Sequence, residues 1–264
     1  MPEQNAGGRQ RSGDEGGADP MVAAALSAYA AGTGSEYAAL TALAGSRLLV
    51  PVIAVLSNEP PEADAASADA ASADAASADA ASADAASADA AGEKVSEMAL
   101  PTLVGHDGRA AVLAFTGLGS LTRWRPDARP LPVPAQRVWQ AGTREAGAVV
   151  IDVAGPVPLA VEGARLAALA GGGRAPLPHE DPDVRAAAEA ALAGEPLITG
   201  ARLAEPADGS DVALQVMLAA GCDAALAGAA VRRAVAGLMT ATGGRFRRGV
   251  GVAVVEAGRM PGWP

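Results

Sequence analysis

The sequence predicts an α+β protein: two small mixed α/β-layer domains with predominantly antiparallel or mixed sheets. Three observations carry that prediction. Short β-branched apolar runs and helical apolar patterns are mixed along the 264 residues. Two apolar runs flank Asp107-Gly108, a strong hairpin signal. Gly171-Gly172-Gly173 followed by Pro176-Leu177-Pro178 marks a boundary. The expected organisation is a disordered tail (1–20), a first domain (21–170) with a low-complexity insertion (58–96), a linker (171–178) and an α-β-β-α-β domain (179–264).

Residues 1–20 hold no aliphatic side chain larger than Ala except Met1, so they cannot bury enough apolar surface to order themselves. Met21 is an alternative start. Val22, Leu26 and Tyr29 give a helix over 21–31. Ser35 caps a second helix, Glu36 to Ala44, with Tyr37, Leu40 and Leu43 on one face and Gly45 at its end. Arg47 to Leu56 is a β-branched strand. Its Pro51 removes a ladder donor and assigns it to an edge or a bulge.

Residues 63–91 are five copies of ADAAS and a final ADAA. A period of five matches neither 3.6 nor 2.0, so no continuous apolar face forms. The tract reads as a solvated insertion grown by repeat expansion; the functional alternative is a spacer that positions a partner.

Met98 to Val104 and Arg109 to Phe115 form the hairpin. Leu118 to Trp124 is a short helix, and the four prolines of 126–134 make an extended connection. Ala135 to Ala146 is a helix carrying Val138 and Trp139, with Trp139 expected in the core. Val149 to Val153 is a strand containing Asp152, Leu159 to Val161 returns the chain, and Gly163 to Ala170 is a helix. Beyond the boundary, Asp181 caps a helix over 182–193 with Pro182 at its first position. Strands at Leu197 to Leu203 and Val212 to Leu218 flank a Pro-Ala-Asp-Gly-Ser turn. A helix over 223–238 shows Leu226, Val231, Val235 and Leu238 as its stripe, and a last strand covers 250–255.

The net charge is −10, from 30 acids and 20 bases. The repeat supplies six Asp, so the rest carries −10 + 6 = −4. A mildly acidic body is a poor match for nucleic-acid binding. The 69 Ala and 3% aromatic content dictate thin cores of Leu, Val and Ala. Lys94 is the one Lys among the 20 bases, and this bias is that of a GC-rich, actinobacterial-type genome. Cys222 is the sole cysteine, which excludes an internal disulfide and fits a reducing cytoplasm. The N-terminus has no apolar signal core, and Met21 to Ala31 is short of the roughly 20 residues a span needs. The expected location is the cytoplasm, with no membrane partner.

The stretches RLLVPVIAVL, PTLVGHDGRAAVLAFTG, LTRW and AVVIDVAGPV resemble, in order and spacing, the SseB N-terminal domain. The matching residues are Leu49, Val50 and Pro51; Asp107, Gly108 and Arg109; Phe115, Thr116 and Gly117; Trp124; and Asp152, Gly155 and Pro156. Residues 176–258 resemble the C-terminal SseB domain more loosely. Gly117 stands where the family usually has Ser, and Asp152 where it has Asn. Members are linked by name to enhanced serine sensitivity, and some are labelled type III secretion-like. The resemblance supplies no catalytic residues.

Cys222 is a thiol candidate: it opens a predicted helix, where a thiolate is stabilised, but Asp223 opposes ionisation and no His is near in sequence. As an inert cysteine it is a small half-buried hydrophobe. Arg245, Arg247 and Arg248 around Phe246 are candidates for an anion or RNA contact, or else form a polar turn with Phe246 packed inward. Glu180, Asp181 and Asp183 could bind a hard cation, or serve as a helix cap with dipole-compatible acids. His106 and His179 lie too far apart in sequence for a zinc cluster, and no P-loop, nucleophile elbow or dinucleotide fingerprint occurs. No cofactor is expected. The expected function is non-catalytic binding or regulation with an unidentified protein partner. The alternatives are a Cys222-dependent sulfurtransferase or redox enzyme and an RNA- or ribosome-associated accessory protein.

Overall fold

The computed structural model describes residues 16–52, 102–104 and 108–255. The insertion at 58–96, His106, tail residues 1–15 and the predicted strand extension beyond Val52 lie outside the described residues.

The first departure from the sequence reading is at residues 16–19, expected within a disordered tail. Gly16 C=O accepts from Leu118 N–H at 2.8 Å, and Gly17 C=O accepts from Arg47 Nη2 at 2.8 Å. Asp19 caps α1 (Pro20–Ala30) through Met21 N–H at 2.7 Å. Ser35 caps α2 (Glu36–Ala44) through Ala38 N–H, as its sequence dictates.

β1 (Arg47–Val52) pairs antiparallel with β4 (Arg129–Pro134), which replaces the expected proline-rich connection. The prolines conceal this strand from a propensity reading, yet they fit it. Leu49 exchanges both backbone hydrogen bonds with Phe115, so Leu49, and by alternation Arg47 and Pro51, turn their amides away from β4. Pro132, Pro134 and Pro130 stand opposite those three residues. Their missing N–H groups therefore fall on the outer side, where no ladder donor is needed.

β2 (Thr102–Val104) and β3 (Ala110–Ala114) pair antiparallel as expected, while the start of the predicted strand at Met98 and the turn residues His106 and Asp107 lie outside the described residues; α3 spans Leu118–Trp124, and α4 spans Ala135–Ala141. The last turn of the predicted 135–146 helix widens into a π turn, Gly142–Ala146, where a side chain on Gly142 would collide with Val149. β5 (Ala148–Ile151) and β6 (Leu159–Glu162) complete a mixed sheet in the order β2-β3-β5-β6, with β3 and β5 parallel. Helices α1, α2, α4 and α5 (Gly163–Ala170) cover it, and Trp139 is fully buried in that core.

The C-terminal part follows the predicted order: α6 (Pro182–Leu192), β7 (Ile198–Ala204), β8 (Val212–Leu218), α7 (Ala224–Ala241), β9 (Val250–Val254). Its sheet is β7-β8-β9, with β8 and β9 parallel, and its small core includes Val184, Val212, Leu238 and Phe246. The buried stripe of α7 is Ala227, Ala230, Ala234 and Leu238, while Leu226 is exposed; the expected stripe was rotated toward the larger side chains. Close approach of α6 and α7 selects Ala at that line: a side chain on Gly237 would lie 3.2 Å from Ala191 Cβ.

Four charged side chains, Glu36, Arg165 and Asp181 buried and Arg245 13% exposed, join the two parts. Glu36 on α2 takes Arg165 of α5 on one oxygen, and on the other Arg245 Nε at 2.9 Å. Arg245 Nη2 reaches Asp181 at 2.8 Å, and Asp181 also caps α6 through Asp183 N–H. Arg245→Ala leaves the buried Asp181 carboxylate without its cation. The expected loss is about 3–5 kcal/mol of unfolding free energy, read by urea denaturation; a loss below 1 kcal/mol would show the clamp to be dispensable.

Candidate functional site

The arginine cluster of the α7–β9 turn is not an open cationic patch. Arg245 is buried in the clamp. There desolvation would lower its pKa, and the Glu36 and Asp181 carboxylates together hold it above the usual arginine value. Arg248 bonds Asp211 through Nε at 3.1 Å, and its backbone N–H reaches the same carboxylate at 2.7 Å. Arg247 lies over the Tyr29 ring at 5.6 Å, and Phe246 packs inward. The acids near 180 are likewise committed: Glu180 accepts from Arg174, Asp181 holds Arg245, and Asp183 Oδ2 accepts Ala164 N–H at 2.8 Å.

Cys222 is half-buried in the turn between β8 and α7, its N–H bonded to Ala219 C=O. The Asp223 carboxylate next to it is used as a helix cap, accepting from Ala225 and Leu226 N–H. Cys222 lines an apolar groove of about 350 Å³ between α7 and β9, whose other walls are Leu218, Ala224, Ala227, Gly228, Val231 and Val254. The groove exists because helix α7 does not extend over β9: Val252 is 44% and Val254 61% exposed, although both share the face that β8 buries with Leu214 and Val216.

Asp152 lies just past β5, at φ +50°, rather than within the strand. Asp and Asn tolerate this left-handed region better than other non-glycine residues. Its carboxylate accepts Thr116 N–H at 2.9 Å and Thr116 Oγ1–H at 2.6 Å. These bonds join the carboxyl ends of the parallel strands β3 and β5. Burial raises its pKa, and hydrogen bonds from Thr116 and Ser120 oppose the rise. Gly117 beside it has a packing reason. A Cβ there would come within 2.7 Å of Ala18 N, so the docked 16–18 segment excludes serine. Trp124 is half-buried, with the Phe115 ring centroid 5.4 Å away and Arg125 over its own ring.

The model of the SseB protein N-terminal domain matches residues 22–168. That span contains Asp152, Thr116, Glu36 and Arg165, and stops before Cys222 and Arg245. No curated protein and no solved structure matches the chain.

The Asp152 site makes stability depend on pH with a stated sign. A carboxyl with a native pKa above its unfolded value binds more protons when folded. Its contribution is therefore fullest below the unfolded value and is lost as pH rises through the native one. Asp152→Asn keeps an acceptor for Thr116 N–H and removes this loss. Its unfolding free energy at pH 7 is expected to match or exceed that of the parent, with a flatter profile above pH 4. Asp152→Ala, which removes both acceptors at a left-handed backbone, is expected to lose about 1–3 kcal/mol. Equal pH profiles for parent and Asp152→Asn in denaturation series would refute the assignment.

Proposed function

Because the chain belongs to the SseB family, we propose that it is a non-catalytic binding or regulatory protein of the cytoplasm, taking an apolar segment of a protein partner in the groove between α7 and β9. The observation that carries this reading is Gly228. Glycine inside a helix costs about 0.5–1 kcal/mol relative to alanine. Its missing side chain has a structural use either where a Cβ would collide or where the space it leaves is open. A Cβ on Gly228 would meet only the end of Arg232, at 3.4 Å, so the fold does not demand glycine there. Its missing side chain instead widens the groove it lines.

Other features support the same reading. Arg245 and Arg248 are held by carboxylates, which leaves them poorly placed for nucleic-acid phosphates. A single cysteine fits a reducing compartment. The enzyme alternative draws on one observation, the place of the half-buried Cys222 in the lining of the groove.

Gly228→Leu separates groove from fold. It is expected to raise unfolding free energy by about 0.5–1 kcal/mol and to abolish capture of proteins by the immobilised chain from native cytosol. Unchanged capture by a folded Gly228→Leu variant would overturn the groove assignment. For the enzyme alternative, iodoacetamide labelling of the native chain at pH 6 is expected to be slow, as for an ordinary thiol. Rapid labelling would instead establish an activated Cys222.

A further inference from the structure

Among the described residues a second surface beside the groove is unguarded, and it is symmetric in a way that names its partner. The sheet β7-β8-β9 ends in two edges. The β7 edge carries a register irregularity between Ile198 and Gly200 and the charged Arg202, both devices that discourage edge pairing. The β4 edge of the first part carries three prolines. β9, with sequence Val250-Gly251-Val252-Ala253-Val254, carries no charge, proline or bulge.

The hydrogen bonds orient its backbone. Val255 N–H donates to Val216 C=O, and Gly251 N–H points to Ser210 Oγ on the β8 side. Odd-numbered residues thus face β8. The N–H and C=O groups of Val250, Val252 and Val254 face outward. We propose that this edge pairs antiparallel with the β9 edge of a second copy of the chain, about a two-fold axis through Val252, to give a continuous six-stranded sheet.

Two features select a second copy over a foreign strand. The strand is a size palindrome, so the two-fold register sets Val252 against Val252, Val250 against Val254 and Gly251 against Ala253. The outward amides recur at every second residue, so that register places all three outward residues of each copy in hydrogen-bonded pairs. The half-exposed Val252 and Val254 side chains of both copies then meet on one face.

The test uses the full chain. Light scattering after gel filtration at tens of micromolar is expected to give twice the chain mass. Amide exchange is expected to show protection at Val250, Val252 and Val254 that rises with protein concentration, while Gly251 and Ala253 remain protected throughout. Val252→Lys puts a charge on the edge without lining the groove, and is expected to be a folded monomer that keeps partner capture. Gly228→Leu should remain dimeric, so failure here is separable from failure of the groove reading. A monomeric parent at these concentrations overturns the proposal. So does a dimer in which the three outward amides exchange as fast as in the monomer, or a dimer that survives Val252→Lys. Should Val252→Lys not fold, the exchange pattern of the parent decides alone.

Discussion

The arrangement of the two parts depends on one constraint: four charges, two of each sign, are removed from water together. Arg165 and Arg245 face Glu36, and Arg245 also faces Asp181. Burial alone would make each ion costly. The cost is offset only while every partner is present. The two arginines feel this differently. Arg165 has its charge-bearing form disfavoured by desolvation, with Glu36 its one hydrogen-bonded carboxylate, whereas Arg245 is held by two. Burying two ion pairs is weak evidence for net stability and better evidence for uniqueness. This placement of α2, α5, α6 and the α7–β9 turn brings all four heads together. That placement also sets Arg247 over Tyr29 and Asp183 at the first turn of α5.

The parts of the fold written in local chemistry are the parts a sequence reading recovers. Ser35, Asp181 with Pro182, and Asp223 cap helices where their side chains can reach backbone N–H groups two or three residues on. The antiparallel pairing of β2 with β3 is equally local. What escapes is set by distance in sequence. Arg245 reads as a free cation in the run Arg-Phe-Arg-Arg, because nothing near it reveals a glutamate 209 positions earlier. β4 escapes because proline lowers strand propensity everywhere, while its actual cost depends on which side of the ladder the missing N–H falls. Asp152 is assigned to a strand by its apolar neighbours, although its own side chain bonds Thr116 across the sheet. The groove is not written in any motif; it results from the place where α7 stops covering the sheet.

Alanine abundance shapes the rest. With few large side chains, the C-terminal core closes by bringing α6 and α7 together along Ala188, Ala227, Ala230 and Ala234 rather than by filling a wide interior. Thin layers cover less sheet. Among the described residues, a helix layer narrow enough to pack on alanine leaves the outermost strand half bare, and β9 there presents both an apolar face and an open edge.

The length of chain between the clamp's members also has a meaning in time. Glu36 precedes Arg245 by 209 residues, and Asp181 precedes it by 64. At about 5–20 residues per second, roughly 10–40 s separate the synthesis of Glu36 from that of Arg245. Arg165, 129 residues after Glu36, arrives first and can neutralise it. The nascent N-terminal part therefore holds a complete Glu36–Arg165 ion pair, while Asp181, made later, waits a further 64 residues for Arg245. For that interval the half-built chain carries the clamp as one neutral pair and one carboxylate whose cation is not yet made.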